Sequence, residues 1–173
     1  MHAAWLLLSL ALTTPNLHPV TSSPQSLPAD ALAGKPQTET SRLLNFCARG
    51  QERLERMDAK AYADWMRAHG SEDFTPNARV RLISHQGLRE LTAKEYLTES
   101  AQELGQVLDY REDMKSFEIQ PSDQGSVCIA IGEQIATVRQ GGRWVEVRAP
   151  VEFHTWIVEE HDGLKVRRLD IFQ

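Results

Sequence analysis

The 173-residue chain is short of several kinds of residue, and each shortage excludes a class of protein. Its two cysteines, Cys47 and Cys128, are too few for a disulfide scaffold or a four-cysteine zinc site. Nineteen basic residues against 24 acidic ones leave a formal charge of −5. We therefore expect no nucleic-acid partner, because nucleic-acid binding depends on clustered positive charge. What remains is a globular domain of ordinary size.

Long apolar runs are also missing, since none reaches the roughly 20 residues that a membrane-spanning helix needs. The run Ala3–Leu12 has the length of the apolar core of a signal peptide, although no Lys or Arg precedes it. A polar, Pro-rich stretch follows, which is typical of a cleavage region and a linker. We predict a signal peptide over residues 1–22, a disordered linker over 23–40 and a folded domain over 41–173, exported to a secreted or periplasmic location.

The motifs of several large enzyme classes do not occur in the chain. It has no Gly-rich phosphate loop, no Gly-x-Ser-x-Gly turn and no Cys–His pair in a nucleophile setting. The six histidines do not cluster, and no pair has metal-ligand spacing. We expect neither a metal ion nor a cofactor.

The first part of the folded domain has helical periodicity. Apolar residues on one face predict an amphipathic helix over Ser41–Met57. Asp58 is placed to cap a second helix, Ala59–Ala68. The sequence Thr92-Ala93-Lys94-Glu95 is a capping box, and it opens a third helix that ends at Leu104.

Alternating apolar and polar residues predict strands in the second half of the chain. The predicted strands are a short one at Arg79–Ser84, then Met114–Gln120, a run that begins after Gly125, a long strand from Trp144 to Ile157, and Lys165–Phe172. Gly-rich turns join the last three as hairpins. Helices followed by an antiparallel meander predict an α+β fold.

This order of elements resembles the nuclear transport factor 2-like (NTF2-like) superfamily, which includes SnoaL-like polyketide cyclases and ketosteroid isomerases. The resemblance covers about residues 41–173 and rests on the segments Met57–Tyr62, Gly87–Glu90, Gly125–Ala130 and Glu160–Val166. It implies N-terminal helices packed in a curved antiparallel sheet, a cone with an apolar pocket. It also implies a dimer through the outer face of the sheet, as in many members.

Several side chains are candidates for such a pocket. Glu133 shares its strand face with Ile131 and other apolar residues, and a carboxylate buried there has a raised pKa that suits acid or base catalysis. Alternatively, Glu133 lies at an open rim and pairs with Arg139 or Arg148. Aromatic side chains with polar tips can line a pocket mouth, although at helical spacing they are more often core. The predicted pocket residues are Tyr62, Trp65, Tyr110, Ile131, Glu133 and Phe153.

The two cysteines fall on different kinds of surface. Cys47 belongs to the apolar stripe of the first helix, whereas Cys128 lies on the strand face opposite Val127 and Ile129. The sequence therefore favours two reduced, packed cysteines, while export would permit a bond between them.

The long strand presents aromatic and charged residues on its second face. Exposed tryptophans on a sheet surface are a common feature of interfaces. The predicted homodimer face consists of Trp144, Arg148, His154 and Trp156. The alternative is a monomer on which these aromatic side chains are partly covered.

Three functions are compatible with the sequence. The first, which we favour, is an exported module that binds a small apolar ligand or another protein. The second is a small cofactor-free enzyme of the isomerase or cyclase type, with Glu133 as its catalytic carboxylate. The third is a dimeric assembly subunit whose pocket is filled by its own side chains.

Overall fold

The computed structural model describes residues 38–173, so the predicted signal peptide and most of the predicted linker lie outside the described residues. The described helices are α1 (Glu39–Leu54), α2 (Ala59–His69) and α3 (Ala93–Leu104), with a short 3-10 helix, Gly70–Asp73, after α2. The strands are β1 (Phe74–Ser84), β2 (Gly87–Thr92), β3 (Asp109–Ser122), β4 (Gly125–Gln140), β5 (Arg143–Glu160) and β6 (Gly163–Phe172). No helix within this part of the chain is both long and apolar enough to cross a membrane.

Side-chain caps fix where each helix begins. Thr38 Oγ1 accepts a hydrogen bond from the Ser41 amide at 3.3 Å, so α1 begins at Glu39 rather than at Ser41. Asp58 caps α2, and both hydrogen bonds of the predicted capping box of α3, between Thr92 and Glu95, are present. The second and third predicted helices are confirmed, whereas α1 ends three residues earlier than predicted.

The six strands form one sheet in the order β2-β1-β6-β5-β4-β3. The predicted antiparallel meander is confirmed for β3 to β6, but β1 pairs with β6 in parallel, so the sheet is mixed. Strand β2 was not predicted. Along it only Leu91 is buried, so the segment lacks the alternation that indicates a strand.

Register shifts interrupt the sheet and bend it. One lies in β3 between Met114 and Ser116, and another in the pairing of β5 with β6, where Arg167 of β6 is skipped between the partners of Trp156 and Ile157. Gly132 pairs with Met114 at the first of these shifts, where a Cβ atom would lie 2.3 Å from the Asp113 carbonyl oxygen. Only glycine fits this close approach, which lets β3 and β4 curve together.

The apolar core lies between the helices and one face of the sheet. Three clusters of buried side chains fill it, one under α1, one between α2 and α3, and one over β1, β5 and β6. Their central members are Leu43, Phe46 and Ile157; Ala63, Met66, Leu97 and Ala101; and Val80, Val151 and Ile171. Burial of this apolar surface is the main stabilising contribution to the fold.

A disulfide joins Cys47 of α1 to Cys128 of β4, with the two Cα atoms 6.4 Å apart. The prediction that both cysteines are reduced is therefore wrong. The apolar Val127 and Ile129 suggested that the opposite face of β4, which carries Cys128, was the outer one. That face in fact packs against α1, so both cysteines point into the same interface.

The disulfide closes a loop between positions 81 residues apart, so it restricts the unfolded chain strongly. We expect the double variant Cys47→Ala/Cys128→Ala to lose roughly 2–4 kcal/mol of unfolding free energy. Urea unfolding with and without dithiothreitol measures the loss. Reductant should destabilise the parent chain by a similar amount and leave the variant unchanged. A parent chain whose stability does not respond to reductant would contradict this prediction.

Candidate functional site

Two adjoining cavities lie between the helices and the sheet. The larger has a volume of about 170 Å³ and the smaller about 70 Å³. Tyr62, Met66 and Tyr96 line both, so these three side chains form the partition between them. An apolar cavity of roughly 150 Å³ can hold a benzene molecule. The larger cavity therefore has room for one aromatic ring.

The larger cavity, named here the aromatic cavity, is walled by all three helices and by strands β5 and β6. Most of its lining is aromatic or aliphatic, and two arginines of α1 lie at its edge. Besides the partition, its lining includes Phe46, Arg49, Arg53, Trp65, Phe74, Leu97, Thr155 and Leu169. Tyr62 and Trp65 stack with their ring centroids 5.9 Å apart, one helical turn from each other on α2.

The smaller cavity, named here the glutamate cavity, contains a hydrogen-bonded group on β3 and β4. Tyr110 and Glu112 are two residues apart on β3 and point to the same side of the sheet. The Tyr110 hydroxyl donates to Glu112 Oε1 at 2.8 Å. Gln134 is the register partner of Glu112 on β4 and also hydrogen-bonds its carboxylate. Gln134 Oε1 in turn accepts a hydrogen bond from the side-chain amide Nε2 of Gln173 at 3.4 Å.

Burial changes the acidity of the groups that line this cavity. Burial raises the pKa of Glu112, and the hydrogen bonds from Tyr110 and Gln134 oppose only part of that rise. Burial, together with the nearby Glu99 carboxylate, raises the pKa of Glu103 to about 7. Burial likewise raises the pKa of the three cavity tyrosines, Tyr62, Tyr96 and Tyr110. The cavity thus offers Glu103, whose pKa is near neutral pH, and Glu112, whose pKa is raised, beside neutral hydroxyl donors.

Two predicted pocket residues lie on the other side of the sheet. The Glu133 side chain is 41% exposed and lies 3.8 Å from Arg148 Nη1, which is the surface pairing considered as the alternative. Ile131 is 46% exposed. Their expected placement is corrected for a physical reason: the row of β4 that faces the helices is the one that carries Cys128, which is bonded to α1, and Gln134, so Ile131 and Glu133 alternate onto the other face. The apolar row containing Ile131 faces outward.

The other predicted pocket residues lie on the helix side of the sheet. Tyr62 and Trp65 line the aromatic cavity, and Tyr110 lines the glutamate cavity. Phe153 packs against the buried cluster of Val80 and Ile171.

The outer face of the sheet carries a charged and aromatic cluster. Asp170 is only 3% exposed, and Arg168 binds both of its carboxylate oxygens at 2.8 and 2.6 Å. The Arg168 guanidinium lies 4.2 Å from the centroid of the Trp156 ring. The His154 ring contacts Phe172, with centroids 4.8 Å apart. The four residues predicted as a dimer face, Trp144, Arg148, His154 and Trp156, alternate along β5 on this face.

Sequence reasoning missed Glu112, Gln134 and Tyr96. The signal for Glu112 was its spacing of two residues from Tyr110, which places both on one face of a strand. That signal was not used because the strand was predicted to begin at Met114, and it begins at Asp109. Tyr96 lies inside the capped helix, where an aromatic residue gives no sign of a cavity.

Metal-ligating side chains are scattered over the described part of the chain. Within residues 38–173, no three His, Cys, Asp or Glu side chains are grouped closely enough to hold a metal ion.

Comparison with solved structures identifies the fold. ActVI-ORFA from Streptomyces coelicolor aligns with a TM-score of 0.55 and 13% identity, over 76% of this chain and 94% of that one. A proposed dehydratase of the NTF2-like family from Streptomyces avermitilis aligns with a TM-score of 0.55 and 12% identity, over 80% of this chain and 97% of that one. A proposed scytalone dehydratase from Novosphingobium aromaticivorans aligns with a TM-score of 0.56 and 11% identity, over 77% of this chain and 82% of that one. The chain has the NTF2-like α+β fold, as the sequence predicted.

Other comparisons give no closer identification. No protein-family model matches the chain, and no curated protein does. At identities of 11–13% the structural likeness shows the fold alone.

The raised pKa of Glu112 makes stability depend on pH in a defined direction. In the folded chain the carboxyl group holds its proton more tightly than at its ordinary pKa of 4.5, so ionising it disfavours the folded state. Stability is therefore lost as the pH rises from the unfolded pKa through the folded one. Glu112→Gln removes this loss, and we expect the variant and its parent to have similar Tm values near about pH 4 but the variant to be more stable near about pH 8.

Thermal unfolding of both proteins across this range measures the difference. The effect of Glu103 is present in both and cancels. A Glu112→Gln variant that is less stable than its parent at the upper end of the range would contradict the assignment.

Proposed function

We propose that this protein binds a small, single-ring ligand in the aromatic cavity, with a polar group of the ligand directed toward Glu112 and Tyr110. The observation that supports the proposal is the convergence of Tyr62, Tyr96, Tyr110 and Glu112, from three different elements, on two adjoining cavities. Ligand sites typically combine apolar walls with a few placed polar groups.

The size of the cavities limits the ligand. About 170 Å³ accommodates one ring, and the partition of Tyr62, Met66 and Tyr96 separates this space from the remaining 70 Å³. A ligand of two fused rings would require the partition to move. A single-ring molecule fits without any rearrangement.

A second candidate function is acid–base catalysis by Glu112 on a ligand group that reaches past the partition into the glutamate cavity. The observation in its favour is a carboxyl group with a raised pKa that accepts a hydrogen bond from Tyr110, since general acid–base groups work best when their pKa is near the operating pH. Two structural neighbours are proposed dehydratases, and dehydration requires both a base and an acid. Here Glu112→Gln would abolish turnover of a bound ligand while binding is retained.

We also propose that the protein is exported. The bond between Cys47 and Cys128 supports this location, because disulfides persist mainly in oxidising compartments.

The outer face of the sheet is proposed as a homodimer interface. Ile131 and Trp144 are 46% and 49% exposed, and both lie on the outer face with His154 and Trp156. Partly exposed apolar and aromatic side chains on one sheet face are characteristic of a protein interface.

Filling the aromatic cavity tests ligand binding. Thr155 lines this cavity, and Thr155→Phe would place a ring in the space that the ligand is proposed to occupy. We expect it to weaken the binding of single-ring probes such as benzyl alcohol about tenfold or more, as measured by calorimetry.

Thr155→Val is the matched control, because it keeps the size of the side chain and leaves the cavity open. It should bind the probe within about twofold of the parent chain. Equal binding by the Phe and Val variants would show that the probe does not occupy this cavity.

A charge on the outer face tests the dimer. Ile131→Glu places a carboxylate on the central part of β4, where burying it against a second copy would be unfavourable. We expect light scattering to show a dimer for the parent chain and a monomer for this variant. Leu108→Glu, at a more exposed apolar position just before β3, should remain dimeric. A monomeric parent chain would refute the proposal.

A further inference from the structure

Two arginines of α1 lie at the edge of the aromatic cavity. Arg49 and Arg53 are four residues apart, so they project from the same side of the helix. Each guanidinium lies over an aromatic ring of the cavity lining, Arg49 at 5.0 Å from the Phe46 centroid and Arg53 at 3.9 Å from that of Trp65. These stacked positions hold both cations beside the cavity.

The two arginines differ in their ion pairs. Arg53 Nη1 binds Asp73 Oδ2 at 2.6 Å, and both side chains are about three-quarters buried. Arg49 is exposed and makes no ion pair within residues 38–173. Two guanidinium groups and one carboxylate therefore line this edge, which leaves one positive charge without a partner among the described residues.

The rest of the cavity offers no other charge to a ligand. Its walls are aromatic and aliphatic, and the two tyrosine hydroxyls of the partition, on Tyr62 and Tyr96, stay neutral because burial raises their pKa. A ligand that matches this lining has an uncharged ring and one negative group at its outer end. A guanidinium is suited to a carboxylate, because its planar donors bind both oxygens together.

We propose that the ligand of the aromatic cavity is a single-ring aromatic carboxylate, whose ring occupies the cavity and whose carboxylate pairs with Arg49. This inference rests on the proposed ligand-binding function and adds the charge of the ligand. It also orients the ligand, because the carboxylate stays at the edge near α1 while the opposite end of the ring points to the partition and the glutamate cavity beyond it.

Two probes of similar size and different charge test the inference. Benzoate carries the carboxylate, and benzyl alcohol is its neutral counterpart. We expect calorimetry at low salt to show benzoate binding about fivefold or more tightly than benzyl alcohol, a difference of about 1 kcal/mol. High salt should reduce this preference, because it screens an interaction at the protein surface.

Arg49→Gln removes the charge and keeps a polar side chain of moderate length. It should lose the preference for benzoate over benzyl alcohol, and a thermal unfolding transition like that of the parent chain shows that the variant is folded. Arg56→Gln is the matched control, since Arg56 is exposed, follows α1 and has no ion pair within residues 38–173. This variant should keep the full preference. Thr155→Phe should weaken benzoate binding, which places the probe in the cavity.

The possible failures are distinguishable. If benzoate and benzyl alcohol bind equally, or if Arg49→Gln keeps the preference, the carboxylate inference is overturned while the ligand cavity stands. If benzoate binds but Thr155→Phe has no effect, the probe binds the surface and the inference is equally overturned. If neither probe binds, the proposed function fails, and the inference fails with it.

Discussion

The close approach of α1 to strand β4 is the constraint on which the rest of the structure depends. The disulfide between Cys47 and Cys128 fixes this contact, and beside it Leu43 and Phe46 of α1 pack in one apolar cluster with Phe117 and Ile119 of β3. The face of β4 toward the helices carries Cys128, Ala130 and Gly132, and Ile131 lies on the opposite, outer face. Farther along β4, Gly132 lets strand β3 approach closely and the sheet curve, and the curved sheet leaves the space in which both cavities lie.

Within that space, the tyrosines of α2, α3 and β3 combine two properties. Their rings supply apolar surface, and their hydroxyl groups remain protonated donors next to a carboxyl group whose own charge is disfavoured by burial. Glu112 is tolerated there because Tyr110 and Gln134 bind its oxygens. A buried carboxyl group satisfied in this way is typical of sites that bind a polar ligand group or transfer a proton.

Local signals in the sequence predicted most of the helices and strands. They could not predict how segments far apart in the chain pair and pack. Asp58, the capping box at Thr92 and the glycine turns act within a few residues, so the helices and hairpins could be predicted. The parallel pairing of β1 with β6, and the choice of which face of β4 meets the helices, depend on residues far apart in the chain. Glu133 and Cys128 lie on opposite faces of β4, so one wrong assignment affected both. It placed Glu133 in the predicted pocket, and it turned Cys128 away from Cys47, so the disulfide was not predicted.

The position of β6 in the sheet has a consequence for how the chain acquires its shape. The last strand lies between β1 and β5, so it joins the β1–β2 hairpin to the β3–β5 meander. Until Gly163–Phe172 is in place, the two parts of the sheet share no strand. Pairing between segments about 90 residues apart is a slow step in folding. Assembly of this sheet therefore depends on β6, and the cavities exist only after it has paired on both sides.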